Sequence, residues 1–334
     1  MTAPPSIDSR LAVLPRLADL RVLVLGDVML DIFDFCREEE SKPIDSEKPG
    51  KRAYFAHESV IALGGAGNVA GNVAALGAPV SLIGLAGNDG HWHTLRELCS
   101  NSGIGHCLVR DARRPTTTKT RLYIDGNYIL RKDHESARSI DHETAVTLIN
   151  EVAIHIAEGV DAVVLSDYAK GVFTAEVAER VLALCRQRSV PVVIDFKPNN
   201  RALFEGAGLL VPNETEASAL LPGFREIAKL DEAVADLAAT MKTDRIGVTL
   251  GARGICGLDR ECGFFHVPGH RVEAVDAVGC GDTVRAVLAL GLAAGLPLPE
   301  AAALANDAAA VIVQKAATAS LTRDELEAFI RGLP

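Results

Sequence analysis

Short apolar runs alternate with longer stretches of helical periodicity along this chain. Runs of strand length fall at 22–25 (VLVL), 80–85 (VSLIGL), 162–165 (AVVL), 192–194 (VVI), 209–211 (LLV) and 246–250 (IGVTL). Between most of them apolar residues return every three or four positions, which predicts helices over 66–77, 89–101, 141–157, 174–188 and 231–242. Strand alternating with helix makes βαβ units, and these imply a mainly parallel sheet covered on both faces. The Ala-rich stretch 299–317 is apolar nearly all round and reads as a buried helix. The first twenty residues read as a tail and a short helix, without the basic start, apolar middle and cleavage site of a secretory signal.

Two segments break the alternation. Residues 32–60 are too charged for core, and 107–132 alternate around Asp125-Gly126-Asn127 as a hairpin does. Together they predict a small sheet projecting from a main α/β domain made of 1–31, 61–106 and 133–334. No internal repeat at a fixed period is visible.

At 334 residues the chain can bury one large core, with or without a small accessory element. No run approaches the roughly 18 uninterrupted apolar residues of a membrane span, so no membrane association is expected. With 34 basic and 44 acidic residues the net charge is −10, which argues against a broad nucleic-acid surface; any cationic site must be local. Seven cysteines without a C-x-x-C pair do not make a closed disulfide framework, so reduced thiols in the cytoplasm are expected. His91 and His93 form the one close histidine pair, lack ligand-type neighbours, and read as a wet loop.

The chemistry lies after the strands. The apolar runs end in Gly26-Asp27, Ser166-Asp167-Tyr168, Asp195-Phe196-Lys197, Pro212-Asn213-Glu214 and Gly251-Ala252-Arg253-Gly254. In open parallel sheets the ligand crevice lies outside those strand ends. The stretch VDAVGCGDTVRAVLALGL, 275–292, adds Gly279, Cys280 and Gly281 just ahead of a helix expected over 283–295. Such a turn presents unpaired N–H groups to an anion. Asp282 beside it would repel that anion unless its carboxylate is taking up a proton. Proton abstraction from a hydroxyl attacking a phosphoryl group satisfies both conditions. The plainer alternative is an acid decorating the first turn of a helix, where acids are common.

These residues resemble a family. DAVGCGD (276–282) fits the D-x-x-G-x-G-D signature of the ribokinase-like, PfkB-type carbohydrate kinases. GGAGNVAGNVAALG (64–77) is similar to their sugar-side motif, and VTLGARG (248–254) and VPNETEA (211–217) to their nucleotide-side motifs. The resemblance runs from residue 21 to about 325. Within the family, VLGDVMLD (24–31), PTTTKTRL (115–122), LSDYAKG (165–171) and LLVPNETE (209–216) most resemble the heptose 7-phosphate kinases.

The resemblance implies a three-layer α/β/α ribokinase-like fold with a small β lid, and ATP-dependent, Mg²⁺-assisted phosphorylation of a sugar or sugar phosphate. Asp282 would be the general base and Gly279, Cys280 and Gly281 the anion hole. Asp31, Gly64, Gly65 and Asn68 would hold sugar hydroxyls, with Asp167 also on the substrate side. Asn213 and Glu216, as the N-x-x-E element, would position Mg²⁺ through water. Lys197 would approach the nucleotide phosphates, Thr249, Gly251 and Gly254 would line the nucleotide pocket, and Asn306 would sit near the adenine. Lys119, Arg121 and Arg131 on the hairpin would receive a phosphate already on the acceptor, Lys119 and Arg121 sharing one strand face. In relatives the lid is often a dimer contact, implying a homodimer through it, and some use a monovalent cation, here near Asp276.

The match has departures. ESKPIDSEKPGKRAYF (40–55) stands where heptose 7-phosphate kinases carry an R-I-S-P-E-A-P segment; it adds Lys42, Lys48, Lys51 and Arg52 to the expected sugar side and suggests a related phosphorylated or acidic sugar. Val278 and Cys280 alter the T-G-A-G-D core, which backbone amides tolerate. No H-x-G-H motif follows, so a fused nucleotidyltransferase is not expected. Two other classes stay open. GGAGNVA contains G-x-G-x-x-A with Asp89 about 20 residues on, the fingerprint of an NAD-dependent oxidoreductase. A non-catalytic sugar sensor on a kinase fold is the other, though such a protein gains little from Asp282.

Overall fold

The computed structural model describes residues 6–315 and 320–333. The tail before Ser6 and the end of the 299–317 stretch therefore lie outside the described residues.

In chain order the strands are β1 (Val22–Gly26), β2 (Val28–Cys36), β3 (Lys42–Pro43), β4 (Arg52–Ala53), β5 (Ala56–Gly65), β6 (Val80–Gly87), β7 (Gly105–Asp111), β8 (Thr117–Ile124), β9 (Asn127–His134), β10 (Ala162–Ser166), β11 (Val192–Asp195), β12 (Leu209–Leu210), β13 (Arg245–Thr249), β14 (Ile255–Asp259) and β15 (Gly263–Val267). The helices are α1 (Ile7–Val13), α2 (Ala66–Ala75), α3 (His91–Asn101), α4 (His142–Glu158), α5 (Ala175–Gln187), α6 (Arg201–Phe204), α7 (Glu214–Leu220), α8 (Leu230–Thr240), α9 (Cys280–Ala293), α10 (Leu298–Ile312) and α11 (Arg323–Arg331).

Nine strands form one sheet in the order β15-β14-β13-β12-β11-β10-β1-β6-β7. From β13 to β7 the pairing is parallel, and β14 and β15 close one side as an antiparallel hairpin. Strands covered on both faces need no polar alternation, which is why their sequences read as continuous apolar runs. The pleat divides them between two cores. Val22 and Val24 pack with α2, α9 and α10, while Leu23 and Leu25 pack with α4, α5 and α8. The expected mainly parallel, three-layer α/β/α fold is found, and the five interior helices stand within a few residues of their predicted bounds.

The second sheet has the order β5-β2-β8-β9. It reaches further into the chain than the 32–60 stretch and leaves 105–111 to the large sheet, where β7 pairs with β6. The hairpin turn is Asp125-Gly126, both at positive φ (48° and 78°), the two-residue geometry whose twist matches the strands. Two further elements differ from expectation. The 91–93 segment is the first turn of α3 and not a loop, and α9 starts at Cys280, three residues before the expected 283, so Asp282 lies inside its first turn.

In the parallel sheet the chain runs outward from β1 in both directions, to β6 on one side and β10 on the other. A crevice at the C-terminal ends of β1 and β10 follows from that reversal. The N-terminal helix is fastened beneath the opposite layer by one buried ion pair, Arg10 on α1 with Asp307 on α10; Asp307 also accepts from His270 Nε2 at 2.7 Å. Removing one partner of such a pair leaves an uncompensated buried charge, at a cost of about 3–5 kcal/mol. Arg10→Met is expected to destabilise the protein by about 3 kcal/mol, towards the lower end because His270 remains. A urea-denaturation midpoint unchanged from wild type would show that the pair contributes nothing.

Candidate active site

Three cavities line up over the C-terminal ends of the parallel strands. The first, of about 520 Å³, lies between the two sheets and takes in Asp31, Gly65, Asn68, Lys119, Arg121, Arg131, Lys170, Gly279 and Asp282. The second, of about 470 Å³, is lined by Asp195, Asn213, Gly281 and Arg285 among others. The third, of about 350 Å³, is largely apolar and includes Gly254, Cys280, Val284 and Asn306. Tyr168 and Lys197 face the first two, and Thr249, Gly251 and Gly281 face the last two, so the cavities form one trough.

Asp282 sits where the trough narrows. Gly279 precedes it in the left-handed region (φ 82°, ψ −11°), which costs a residue with a Cβ about 1–2 kcal/mol. The first-turn amides of α9 have no intrahelical acceptors; that of Cys280 bonds Ala277 O at 3.3 Å. The Asp282 carboxylate is buried, and its two oxygens accept from Asn68 Nδ2 and Tyr168 Oη, each at 2.7 Å. Arg285 Nη1 lies 3.6 Å away. Burial raises the carboxyl pKa above the ordinary aspartate value, while Arg285, Asn68 and Tyr168 pull it down. Asn68 is itself held, because Asn72 one turn on donates to its carbonyl and accepts from Thr283 on α9. Asn72, Tyr168, Thr283 and Arg285 belong to this arrangement and escaped the sequence reading.

In the first cavity the predicted cations are present and already paired. Arg121 donates to Asp31 at 2.6 Å; Lys119 binds Asp133 (2.9 Å) and Glu135 (3.3 Å); Lys170 binds Glu135 (2.7 Å); and Arg131 binds Asp133 (2.8 Å). Gly64 does not line the cleft but backs the Asp31 carboxylate, where a Cβ would collide. Asp167 is a correction: it is wholly buried, accepts from Asn200 Nδ2 and Ala169 N–H, and lines none of the three cavities. Its neighbour Tyr168 faces the cleft instead. Lys42, Lys48, Lys51 and Arg52 are also corrected. They belong to or adjoin the separate β3–β4 ribbon and line none of the three cavities; Arg52 donates to Ser41 and Lys42 lies over the Phe55 ring.

On the opposite side Lys197 Nζ meets Glu216 at 2.5 Å. Asn213 and Glu216 cap each other at the start of α7, so Asn213 faces the second cavity while Glu216 stands behind it. Asp195 faces the same cavity, and its Oδ2 has no hydrogen-bond partner. Among the described residues no three His, Cys, Asp or Glu side chains converge as a metal site. That donor set suits a hydrated Mg²⁺ held partly by phosphate oxygens, not a fully protein-ligated ion. Asn306 Nδ2 donates to Pro268 O and so fixes the wall of the apolar cavity. Asp276 caps its own turn through Val278 N–H.

The dinucleotide reading loses its structural context. The GGAGNVA turn joins α2 to β5, a strand of the small sheet antiparallel to β2, and Asp89 is engaged by Thr116. A Rossmann fingerprint needs a parallel βαβ unit at that point. All seven cysteines are free thiols, and no helix among the described residues is long and apolar enough to cross a membrane.

The sequence profile of the pfkB family carbohydrate kinases matches residues 19–325. The bifunctional protein HldE of Syntrophotalea carbinolica is 38% identical over 94% of this chain. The chain spans 63% of that relative's length, and less than two thirds of the similar HldE proteins of Caulobacter and Bradyrhizobium strains. Among solved structures, a ribokinase from Thermotoga maritima superposes with TM-score 0.68 at 24% identity, covering 94% of this chain and 100% of that one. Phosphofructokinase-2 from Escherichia coli in complex with fructose-6-phosphate gives TM-score 0.73 at 20% identity, covering 93% and 98%. At these identities the two structures establish the shared ribokinase-like fold.

One buried acid holds the loop that carries Tyr168. Asp27, at the end of β1, accepts from the N–H groups of Tyr168 (2.7 Å) and Lys170 (3.0 Å), and its Oδ1 is unpartnered. Burial pushes its pKa up to about 6. Because the folded protein holds this proton more tightly, the stabilising effect is complete below pH 4 and is lost as pH rises to about 6, a difference of about 3 kcal/mol. Asp27→Asn is expected to lack this loss, so its stability relative to wild type should rise by about 2–3 kcal/mol between pH 4 and pH 7. Parallel pH–stability curves for the two proteins would refute it.

Proposed function

Because the chain belongs to the pfkB family of carbohydrate kinases, we propose that it transfers the γ-phosphate of ATP to a hydroxyl of a sugar phosphate, with Asp282 as general base. The observation that carries this reading is the place of Asp282, a buried carboxylate lining the cation-bearing cleft next to Gly281, which faces the second cavity. An acceptor in the cleft would bring its hydroxyl to Asp282, which takes the proton as the oxygen attacks. The first-turn amides of α9 would receive the developing charge on the transferred group. Lys197, released from Glu216, would contact the nucleotide phosphates, and the apolar cavity beside Asn306 would take the base. Mg²⁺, held through water by Asn213 and Glu216 with Asp195 nearby, supplies charge neutralisation of the phosphates when bound.

Lys119, Arg121, Arg131 and Lys170 support an acceptor that already carries a phosphate. Their carboxylate partners make binding an exchange of anions, so no bare cation need be kept in a chain of net charge −10. Motifs at 24–31, 115–122 and 165–171 favour a heptose 7-phosphate or a close relative, handled in the cytoplasm. A fructose-6-phosphate complex of a fold relative is in keeping with phosphorylated acceptors. The two edge strands of the small sheet expose Val60, Ile61, Tyr128, Ile129 and Leu130. An apolar edge of this kind invites pairing with another strand, and a second copy of the chain is the proposed partner.

Incubation with Mg²⁺-ATP and a panel of sugars and sugar phosphates should yield ADP with phosphorylated acceptors. Asp282→Asn is expected to retain nucleotide binding and lose on the order of 10²–10⁴ in turnover; full activity in that variant would remove Asp282 from the chemistry. Leu130→Asp should convert a dimer to monomers by sedimentation velocity, and a wild type already monomeric at high concentration would discard the dimer.

A further inference from the structure

Among the described residues Arg285 is the one buried cation within 4 Å of Asp282. It lies one turn along α9 from the base, at the i, i+3 spacing that puts two side chains on one helix face. Its Nη2 is bonded to Asp195 at 2.7 Å and its Nη1 stands 3.6 Å from Asp282, while its Nε is buried without a partner. The guanidinium lies against Gly281, where a Cβ would come within 2.6 Å of Nη1. It also lines the second cavity, in the N-terminal half of a helix whose dipole disfavours a cation. A desolvated cation in that position is costly unless it offsets a buried anion.

We propose that Arg285 is a positioning residue that keeps Asp282 ionised and oriented as a base, and that Asp195 holds its guanidinium in place. This rests on the kinase reading. The other charged or titratable groups facing the pair are Asp31 from β2, Tyr168 after β10, Lys197 after β11, Glu216 on α7 and Cys280 on α9 itself, with Lys119, Arg121, Arg131 and Lys170 across the first cavity and Glu214 and Arg225 across the second. Tyr168 and Asn68 donate to Asp282 without bringing a charge, and Asp31 opposes ionisation. Arg285 thus provides the charge within 4 Å that favours the carboxylate. Asp195 draws part of that charge away, so the two acids compete for one guanidinium.

The test is the pH dependence of kcat/KM, which reports groups of the free enzyme. In Arg285→Gln the acidic limb should move up by about one pH unit or more, the usual effect of losing an adjacent opposite charge. Arg285→Lys should lie between that variant and wild type. Asp195→Asn should move the limb the other way, because Arg285 is then left to Asp282 alone. An unmoved limb in Arg285→Gln with a folded protein and a lowered plateau would overturn the assignment. Should Arg285→Gln fail to fold, an unmoved limb in both Arg285→Lys and Asp195→Asn would overturn it equally. If wild type forms no ADP with any acceptor, the kinase reading fails by itself. The Asp282 assignment is then read from its carboxyl ¹³C titration in wild type and Arg285→Lys, identified by comparison with Asp282→Asn, and identical titrations would sink it.

Discussion

A carboxylate buried at the start of a helix is the constraint around which this molecule is arranged. Asp282 has almost no contact with water, so its charge depends on donors brought from separate parts of the chain: Asn68 on α2, Tyr168 after β10 and Arg285 on its own helix. Tyr168 reaches it because the parallel sheet brings its strand ends to one side. The first turn of α9 adds the positive end of a helix dipole. Asn68 arrives by way of Gly65, where the chain leaves β5 for α2 with φ 57°, so the small sheet and the large one meet at this acid.

The same economy of charge runs through the trough. Arg121 with Asp31, Lys197 with Glu216, Arg285 with Asp195, and the Lys119–Glu135–Lys170 group are all internally compensated. An unpaired charge in such places would cost several kcal/mol. Pairing lets a protein with excess negative charge keep a cluster of cations in a cleft until an anionic ligand takes over their contacts. It also explains why the composition gave no hint of the cluster, because its basic residues are matched by acids nearby.

What the sequence made legible was local. The Gly279–Asp282 helix start, the Asp125-Gly126 hairpin and the apolar strands are each encoded within a few residues; the hairpin and the strands stand where expected, and the helix begins three residues early. Contacts that join distant segments were not legible: Asn68 and Asp282 are 214 positions apart, Tyr168 and Asp282 114. At the end of β10, residue type favoured Asp167 as a site residue, but neighbouring side chains leave a strand on opposite sides, and Tyr168 is the one that faces the cleft. The charges of 40–55 were expected on the sugar side, but their place depends on the β3–β4 ribbon, which keeps them out of the trough. The β14–β15 hairpin was missed because ICGLD and GFFHV are short and lack an obvious alternation.

The division of labour between the two sheets has a consequence for specificity. Asp282, its donors and much of the second cavity are built on α2, α9 and the loops after β10 and β11. Three of the acceptor-side cations, Lys119, Arg121 and Arg131, lie on the β8–β9 hairpin. The hairpin's own acids, Asp133 and the adjacent Glu135, neutralise Lys119 and Arg131, whereas Asp31 and Arg121 join neighbouring strands of the small sheet. Acceptor choice can therefore change by substitution within this sheet, with compensating charges close at hand, while the contacts that keep Asp282 in register are untouched. The reverse does not hold, because replacing Asn68, Tyr168 or Arg285 disturbs a buried charge that the proposed chemistry needs with any acceptor.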